Sequence, residues 1–185
     1  MTNNLQPCVE ELHFYSIKHH NYLFMNKKIL KDLEKVPFKK DVKCKVRDSN
    51  GKLRILGDTN VRALQTETRI ESTSFSLLRK WICDTITNAT ENFDFGIGSD
   101  WVALYNKEDY TISHQHIPAS FAFVYFIKSP IGSSPLVFST SNTIIEPEEG
   151  KLIIFPGNLF HHVPKNECDG RIVFSGNIIP DMDCL

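Results

Sequence analysis

From residue 101 onward the hydrophobic and polar positions settle into a short rhythm. Runs rich in Val, Ile, Phe and Tyr fall at 101–105, 110–114, 120–128, 136–139, 143–146, 151–155, 160–163 and 171–179. Turn-forming residues separate them at 106–109, 117–119, 129–135, 147–150, 156–158 and 164–170. β-Branched and aromatic runs bounded by Gly, Pro, Asn and Asp read as strands. Short strands at this spacing predict a jelly roll, two sheets face to face with a cavity between them.

The first half has a different texture. Residues 11–20 alternate well enough for a strand, with Leu12, Phe14 and Ser16 on one side. Ile29, Leu30, Leu33 and Val36 mark one face of a helix over 26–36, stopped by Pro37. Residues 41–56 read as a hairpin around Asp48-Ser49-Asn50-Gly51, where Asn-Gly supplies the backbone dihedrals a tight turn needs. The stretch 57–70 is polar and shows no clear period. A second helix over 75–89 places Phe75, Leu78, Ile82 and Ile86 on one face, with Ser74 as its predicted N-cap. The fold class is therefore mainly β with flanking helices (α+β). It is one domain over 1–185, with a helix-and-strand support region at 1–98 bracing one sheet of a jelly-roll core at 99–180.

Composition narrows the function classes. The chain has 185 residues and a net charge of −1, so nothing electrostatic argues for nucleic acid or an anionic membrane. The lysines between 27 and 45 are interrupted by Asp32, Glu34 and Asp41, as on a solvated face. Five cysteines, odd in number and without a CxxC pair, suggest free thiols in a reducing cytoplasm. No signal-like N-terminus and no apolar run of membrane-spanning length is present, so the expected location is cytoplasmic. His19 and His20 are adjacent on a strand and face opposite ways; they are expected at the surface.

Candidate chemistry gathers in the second half. The segment 110–125, YTISHQHIPASFAFVY, places His114 and His116 two apart on a predicted strand, so both leave one face. A third histidine follows at His161 or His162, and Arg171 opens the last strand. Three imidazoles from two strands, with a guanidinium on another, can hold a divalent metal beside an anionic cosubstrate.

These motifs carry a resemblance. The lead-in WVALYNKEDY (101–110), HQH (114–116), VYFIKSP (124–130), EEGKLIIFPGNLFHHVPKN (148–166) and RIVFSGN (171–177) resemble the iron(II)- and 2-oxoglutarate-dependent oxygenases. They most resemble the small oxygenases encoded by marine cyanophage and bacteria. The resemblance implies a double-stranded β-helix, ferrous iron held by His114, His116 and His161, and 2-oxoglutarate with O2 as cosubstrates. It implies Arg171 as the partner of the distal 2-oxoglutarate carboxylate and Tyr125 as a further donor to it. Alternation with Leu159 and Val163 favours His161 over His162 as the inward ligand.

The implied activity is hydroxylation of a C–H bond, of the prolyl-hydroxylase type, on a small-molecule or peptidyl substrate; for a phage-encoded chain the location becomes the host cytoplasm. Two departures stand out. His116 takes the position where most of the family has a carboxylate, leaving the ferrous centre one unit more positive. Ala122 and Phe123 replace a Ser-Gly pair, and Phe123 is expected to narrow one side of the barrel. The competing readings are a three-histidine cupin-like metalloenzyme without 2-oxoglutarate, and a non-catalytic jelly-roll module of virion type. The sequence leaves the substrate and oligomeric state unspecified.

Overall fold

Strand β8 (Phe121–Lys128) is apolar at nearly every position, because both of its faces are covered. The computed structural model describes residues 14–47, 52–90 and 93–181. The predicted arm at 1–7, the start of the predicted first strand and the Asp48–Gly51 turn lie outside them. Among the described residues, Cys44, Cys83 and Cys168 are free thiols.

The remaining elements, in order, are β1 (Tyr15–Lys18), α1 (Tyr22–Leu33), β2 (Lys43–Arg47), β3 (Leu53–Asp58), β4 (Val61–Arg62), β5 (Leu64–Gln65), α2 (Thr73–Ala89), β6 (Phe95–Tyr105), β7 (Tyr110–His114), β9 (Leu136–Phe138), β10 (Thr143–Ile145), β11 (Lys151–Pro156), β12 (His161–Val163) and β13 (Arg171–Pro180). Two antiparallel sheets face each other. The major sheet runs β1-β11-β8-β13-β6-β5 and the minor sheet β10-β9-β12-β7-β4, while β2 and β3 form a separate hairpin. This is the jelly roll that the strand spacing predicts. The polar stretch 57–70 proves to be a corner: β4 pairs with β7 in the minor sheet, and β5 pairs with β6 in the major one.

Side-chain alternation splits the core in two. Phe123, Tyr125 and Ile127 of β8 point outward with Leu152, Ile154, Phe174 and Ile178, where Ile29, Leu33, Phe75, Leu78, Ile82 and Ile86 of the helices cover them. Ala122, Val124 and Phe126 point inward with Ile153, Phe155 and Val173, against Leu136, Phe138 and Val163 of the minor sheet.

The helices differ from expectation in their ends. Helix α1 starts at Tyr22, whose ring lies so close to Gly150 that a Cβ there would stand 2.3 Å from Tyr22 Cβ. Past Leu33 it tightens into three-residue turns, in which the Lys35 and Val36 N–H groups donate to the Asp32 and Leu33 carbonyls, before Pro37 stops it. The cap of α2 is Ser72, whose Oγ accepts the Phe75 N–H at 3.3 Å; the predicted cap, Ser74, is buried and donates to the Asp32 carboxylate instead. Ser72 Oγ also donates to Asp32 at 2.7 Å, so one carboxylate ties α1 to the start of α2 and is held below the usual range by these hydroxyls. His19, expected at the surface, is buried. Its ring sits 4.6 Å edge-on from Trp81, and its Nδ1 accepts the Asn21 N–H at 3.1 Å. His20 is exposed, as expected.

Helix α2 is locked to β6 by a buried ion pair. Arg79 Nε and Nη2 reach Asp100 Oδ2 and Oδ1 at 2.9 Å each, and Nη2 also donates to the Ile70 carbonyl at 2.8 Å. Removing one partner of such a pair strands the other charge in the core. Asp100→Ala is therefore expected to lower unfolding free energy by about 3–5 kcal/mol, read as a shift of the urea midpoint.

Candidate metal centre and anion site

A bulge sets the first ligand. His114 pairs with His161 and Thr111 with Val163, so β7 spends three steps where β12 spends two. The extra residue lets Thr111 and His114 both face the cavity, which three regular steps would forbid. His116 lies past the strand end, in a turn. Its N–H donates to the Gly157 carbonyl at 2.6 Å, and its carbonyl accepts the Ala119 N–H at 2.8 Å. HQH therefore converges through a turn, not through one strand face as its spacing suggested. Gly157 permits the crossing: a Cβ there would stand 2.1 Å from the Ala119 carbonyl oxygen.

The three rings meet. Centroid separations are 4.8 Å for His114–His116, 4.4 Å for His114–His161 and 5.0 Å for His116–His161, and one ligand atom from each lies within 4.8 Å of the others. His162 points to the other side of β12, where Nδ1 is 3.0 Å from Ser139 Oγ. The structure thus brings together His114, His116 and His161, and leaves His162 out.

Tautomers follow from the backbone. Nδ1 of His114 faces the Ile112 carbonyl at 2.8 Å, and Nδ1 of His161 faces the Leu159 carbonyl at 3.0 Å. A carbonyl only accepts, so each Nδ1 carries the hydrogen and each Nε2 presents a bare lone pair. Such outer hydrogen bonds orient metal-bound imidazoles. Nε2 of His161 then faces Nε2 of His116 at 3.3 Å. That spacing fits an N–H···N hydrogen bond from a His116 protonated at Nε2, and it equally fits two lone pairs on one cation, since nitrogens about 2.1 Å from one ion at about 90° stand about 3 Å apart. Burial and the neighbouring imidazoles push His161 down to about 3 and His116 to about 4, and burial lowers His114. All three are neutral at pH 7, the form that binds metal.

Arg171 closes the other end. It is 1% exposed, and its Nε and Nη1 have no hydrogen-bond partner. Its guanidinium carbon lies 4.6 Å from the centre of the Tyr105 ring and 5.6 Å from that of Phe126. Burial lowers its proton affinity, yet a guanidinium keeps its charge inside a protein. Among the described residues no carboxylate is its partner, so the pocket presents a desolvated cation with two free donor atoms. The cavity holding both groups measures ≈ 430 Å³ with its open mouth included, and its enclosed part admits only a few waters. Trp101, Tyr105, Thr111 and Val173 are among its walls.

Tyr125 is not brought to this cavity. It lies on the helix-facing side of β8, where its hydroxyl donates to Asn26 Oδ1 at 2.8 Å, while Asn26 Nδ2 donates to the Ile127 carbonyl at 2.7 Å. The phenol beside Arg171 is Tyr105, whose hydroxyl is 2.7 Å from Thr111 Oγ1. The sequence held a signal for it: Tyr105 is the last residue of the strand antiparallel to Arg171, and the two pair directly. Phe123 borders the cavity, but its ring packs in the helix-side core 5.2 Å from Phe174, where Gly176 leaves it room.

No family model matches the chain, and no curated protein matches it. Solved structures do. A viral collagen prolyl hydroxylase from Paramecium bursaria Chlorella virus-1, in complex with 2-oxoglutarate, superposes with a TM-score of 0.64 at 16% identity, over 94% of this chain and 98% of that one. An oxidoreductase of the 2-oxoglutarate-Fe(II) oxygenase family from Burkholderia pseudomallei gives 0.64 at 12% identity, over 90% and 84%. A prolyl hydroxylase from Trichoplax adhaerens, bound to a hypoxia inducible factor peptide fragment, gives 0.62 at 14% identity, over 89% and 82%. The fold is that of these oxygenases. The narrower kinship with cyanophage and marine bacterial proteins stays an expectation.

The imidazoles also govern acid stability. In the folded, metal-free protein His116 and His161 protonate well below 6.5, whereas in the unfolded chain they protonate near 6.5. Below about pH 6.5 the unfolded state binds more protons, so stability falls with pH until the folded-state values, about 4 and about 3, are passed. Urea midpoints measured in chelator between pH 7 and pH 4 are expected to fall, and His161→Gln to flatten that slope. Gly157→Ala is expected to displace the His116 turn and weaken metal retention at least tenfold, as read by equilibrium dialysis.

Proposed function

We propose that the protein is a ferrous-iron- and 2-oxoglutarate-dependent oxygenase that hydroxylates a C–H bond of a small-molecule or peptidyl substrate. One observation carries the reading: a buried guanidinium with two unpaired donors shares a cavity with three neutral, converging imidazoles. A buried cation without a partner is costly, and a dicarboxylate that also reaches the metal offsets that cost. The donor set fits the group. His114, His116 and His161 would hold the iron, and Arg171 would hold the distal carboxylate through its planar fork. Bound iron with 2-oxoglutarate and O2 supplies oxidative decarboxylation coupled to C–H hydroxylation.

The chain's own part is positional. Thr111 braces the Tyr105 hydroxyl, and Tyr105 stacks on Arg171, keeping the cation at the closed end of the sandwich. The apolar walls exclude water and so strengthen every charge interaction inside. The first β-strand and the β4–β5 corner belong to the two main sheets, which supports treating the whole chain as one catalytic domain. Among the described residues no helix is long and apolar enough to cross a membrane. The solved relatives named for prolyl hydroxylation, one bound to a peptide, support a peptidyl substrate.

A cupin-like metal site would leave the Arg171 donors without a purpose, and a structural module would leave both groups so. The test separates them. Under anaerobic conditions wild type is expected to retain one ferrous ion and bind 2-oxoglutarate, and under air to release succinate. Arg171→Ala should keep the metal and lose 2-oxoglutarate affinity at least 30-fold, on the order of 2 kcal/mol or more. His114→Ala should lose the metal. Metal binding with no response of 2-oxoglutarate to Arg171→Ala would point to the cupin-like site; no metal at all would sink the enzyme reading.

A further inference from the structure

Among the described residues, His116 is the one imidazole of the cluster with no backbone carbonyl bonded to its ring. Ile112 and Leu159 hold the Nδ1–H groups of His114 and His161 and so fix those two tautomers. His116 sits on a turn instead, and its Nε2 faces Nε2 of His161 at 3.3 Å. Which of its nitrogens carries the hydrogen therefore depends on what stands behind Nδ1.

The two central strands of the major sheet bring Asn177 to that side. The inward row of β13 runs Arg171, Val173, Ser175, Asn177, and the first three line the cavity. Asn177 is the next step toward the open end. It pairs with Ala122, where the His116 turn leads into β8, and with Ser99, the inward neighbour of Trp101 on β6. The Trp101 ring stands 6.0 Å from that of His116 and 31° from parallel to it. Burial and His114 lower the proton affinity of His116, and the Asn177 side chain works against them. An acceptor beside the ring has that effect, so the amide turns its oxygen to the imidazole.

The amide is anchored from its other end. Asn177 Nδ2 donates to Ser99 Oγ at 2.9 Å, which sets the direction of Oδ1. Oδ1 is sealed from solvent and, among the described residues, no donor meets it. The Trp101 N–H is also unpaired, so it does not occupy Oδ1. A buried carbonyl oxygen without a donor is costly and calls for a reason.

Resting on the metal centre of the oxygenase reading, we infer that Asn177 is a positioning residue that sets the tautomer of His116. In metal-free protein His116 carries its hydrogen on Nε2 and donates to the bare Nε2 of His161, which leaves Asn177 Oδ1 unpaired. When both Nε2 atoms give their lone pairs to a metal, the His116 hydrogen sits on Nδ1 and Asn177 Oδ1 accepts it. The Nε2–H bond breaks and an Nδ1–H bond forms, one proton passing to water and one returning, so the ring stays neutral. The new hydrogen bond offsets the loss of the one to His161, and it orients the ring as the backbone carbonyls orient the other two.

The experiment uses the full chain, ¹⁵N-labelled, with zinc as a diamagnetic probe and no 2-oxoglutarate. Two-bond ¹H–¹⁵N correlations distinguish the bare from the hydrogen-bearing nitrogen of each ring, and His116→Gln assigns the His116 signals. His116 is expected to carry its hydrogen on Nε2 in chelator and on Nδ1 with zinc, while His114 and His161 keep theirs on Nδ1 in both. Asn177→Leu should weaken zinc retention about 10- to 100-fold in equilibrium dialysis. Asn177→Asp keeps an acceptor in place and should hold zinc at least as well as wild type. Undiminished retention in Asn177→Leu, equal losses in the Leu and Asp variants, a His116 hydrogen on Nδ1 in chelator, or one on Nε2 with zinc bound overturns the inference. A wild type that binds no zinc overturns the metal centre itself, and is measured first.

Discussion

The burial of β13 on both faces is the constraint on which the site rests. Strand β13 lies between β6 and β8 at the centre of the major sheet. Its outward row, Phe174 and Ile178, packs under the two helices, while Arg171 and Val173 point into the sandwich. Register cannot slip by one without driving the guanidinium into the helix-side core and Phe174 into the cavity. The hydrophobic load on the outer face therefore fixes the polar chemistry on the inner one. Packing, together with the neighbouring Tyr105 hydroxyl, holds the cation at the floor.

The metal end is held differently. Two imidazoles are oriented by backbone carbonyls from their own strands, Ile112 for His114 and Leu159 for His161. The third hangs on a turn clamped against Gly157. In place of a carboxylate this site offers only neutral donors. On the oxygenase reading the protein would leave the charge of a bound divalent ion uncompensated, and the cosubstrate would supply the counter-charge.

Much of this was legible in the chain. The β strands from 110 to 163 show in the sequence because buried antiparallel strands need β-branched and aromatic runs, and Pro and Gly end them. His161 was separable from His162 because alternation with Leu159 and Val163 fixes its side. What stayed hidden was tertiary in origin. Nothing local distinguishes Ser72 from Ser74 as a cap; Asp32, far off in sequence, decides it. His19 looked like a surface residue because its burial comes from Trp81 of α2. Tyr125 and Tyr105 are both strand tyrosines near the motifs. Only the pairing of β6 with β13, and the helix cover over β8, say which one meets Arg171.

The bulge in β7 has a consequence for how such a centre can change. Thr111 props the phenol at the floor, and His114 turns toward the other two imidazoles, three positions apart on one strand. In an unbroken pleat the two duties would exclude each other. The single surplus residue uncouples them, so the floor and the imidazole cluster can be altered independently. A deletion there, though it removes only one amino acid, would force the strand to surrender one function or the other.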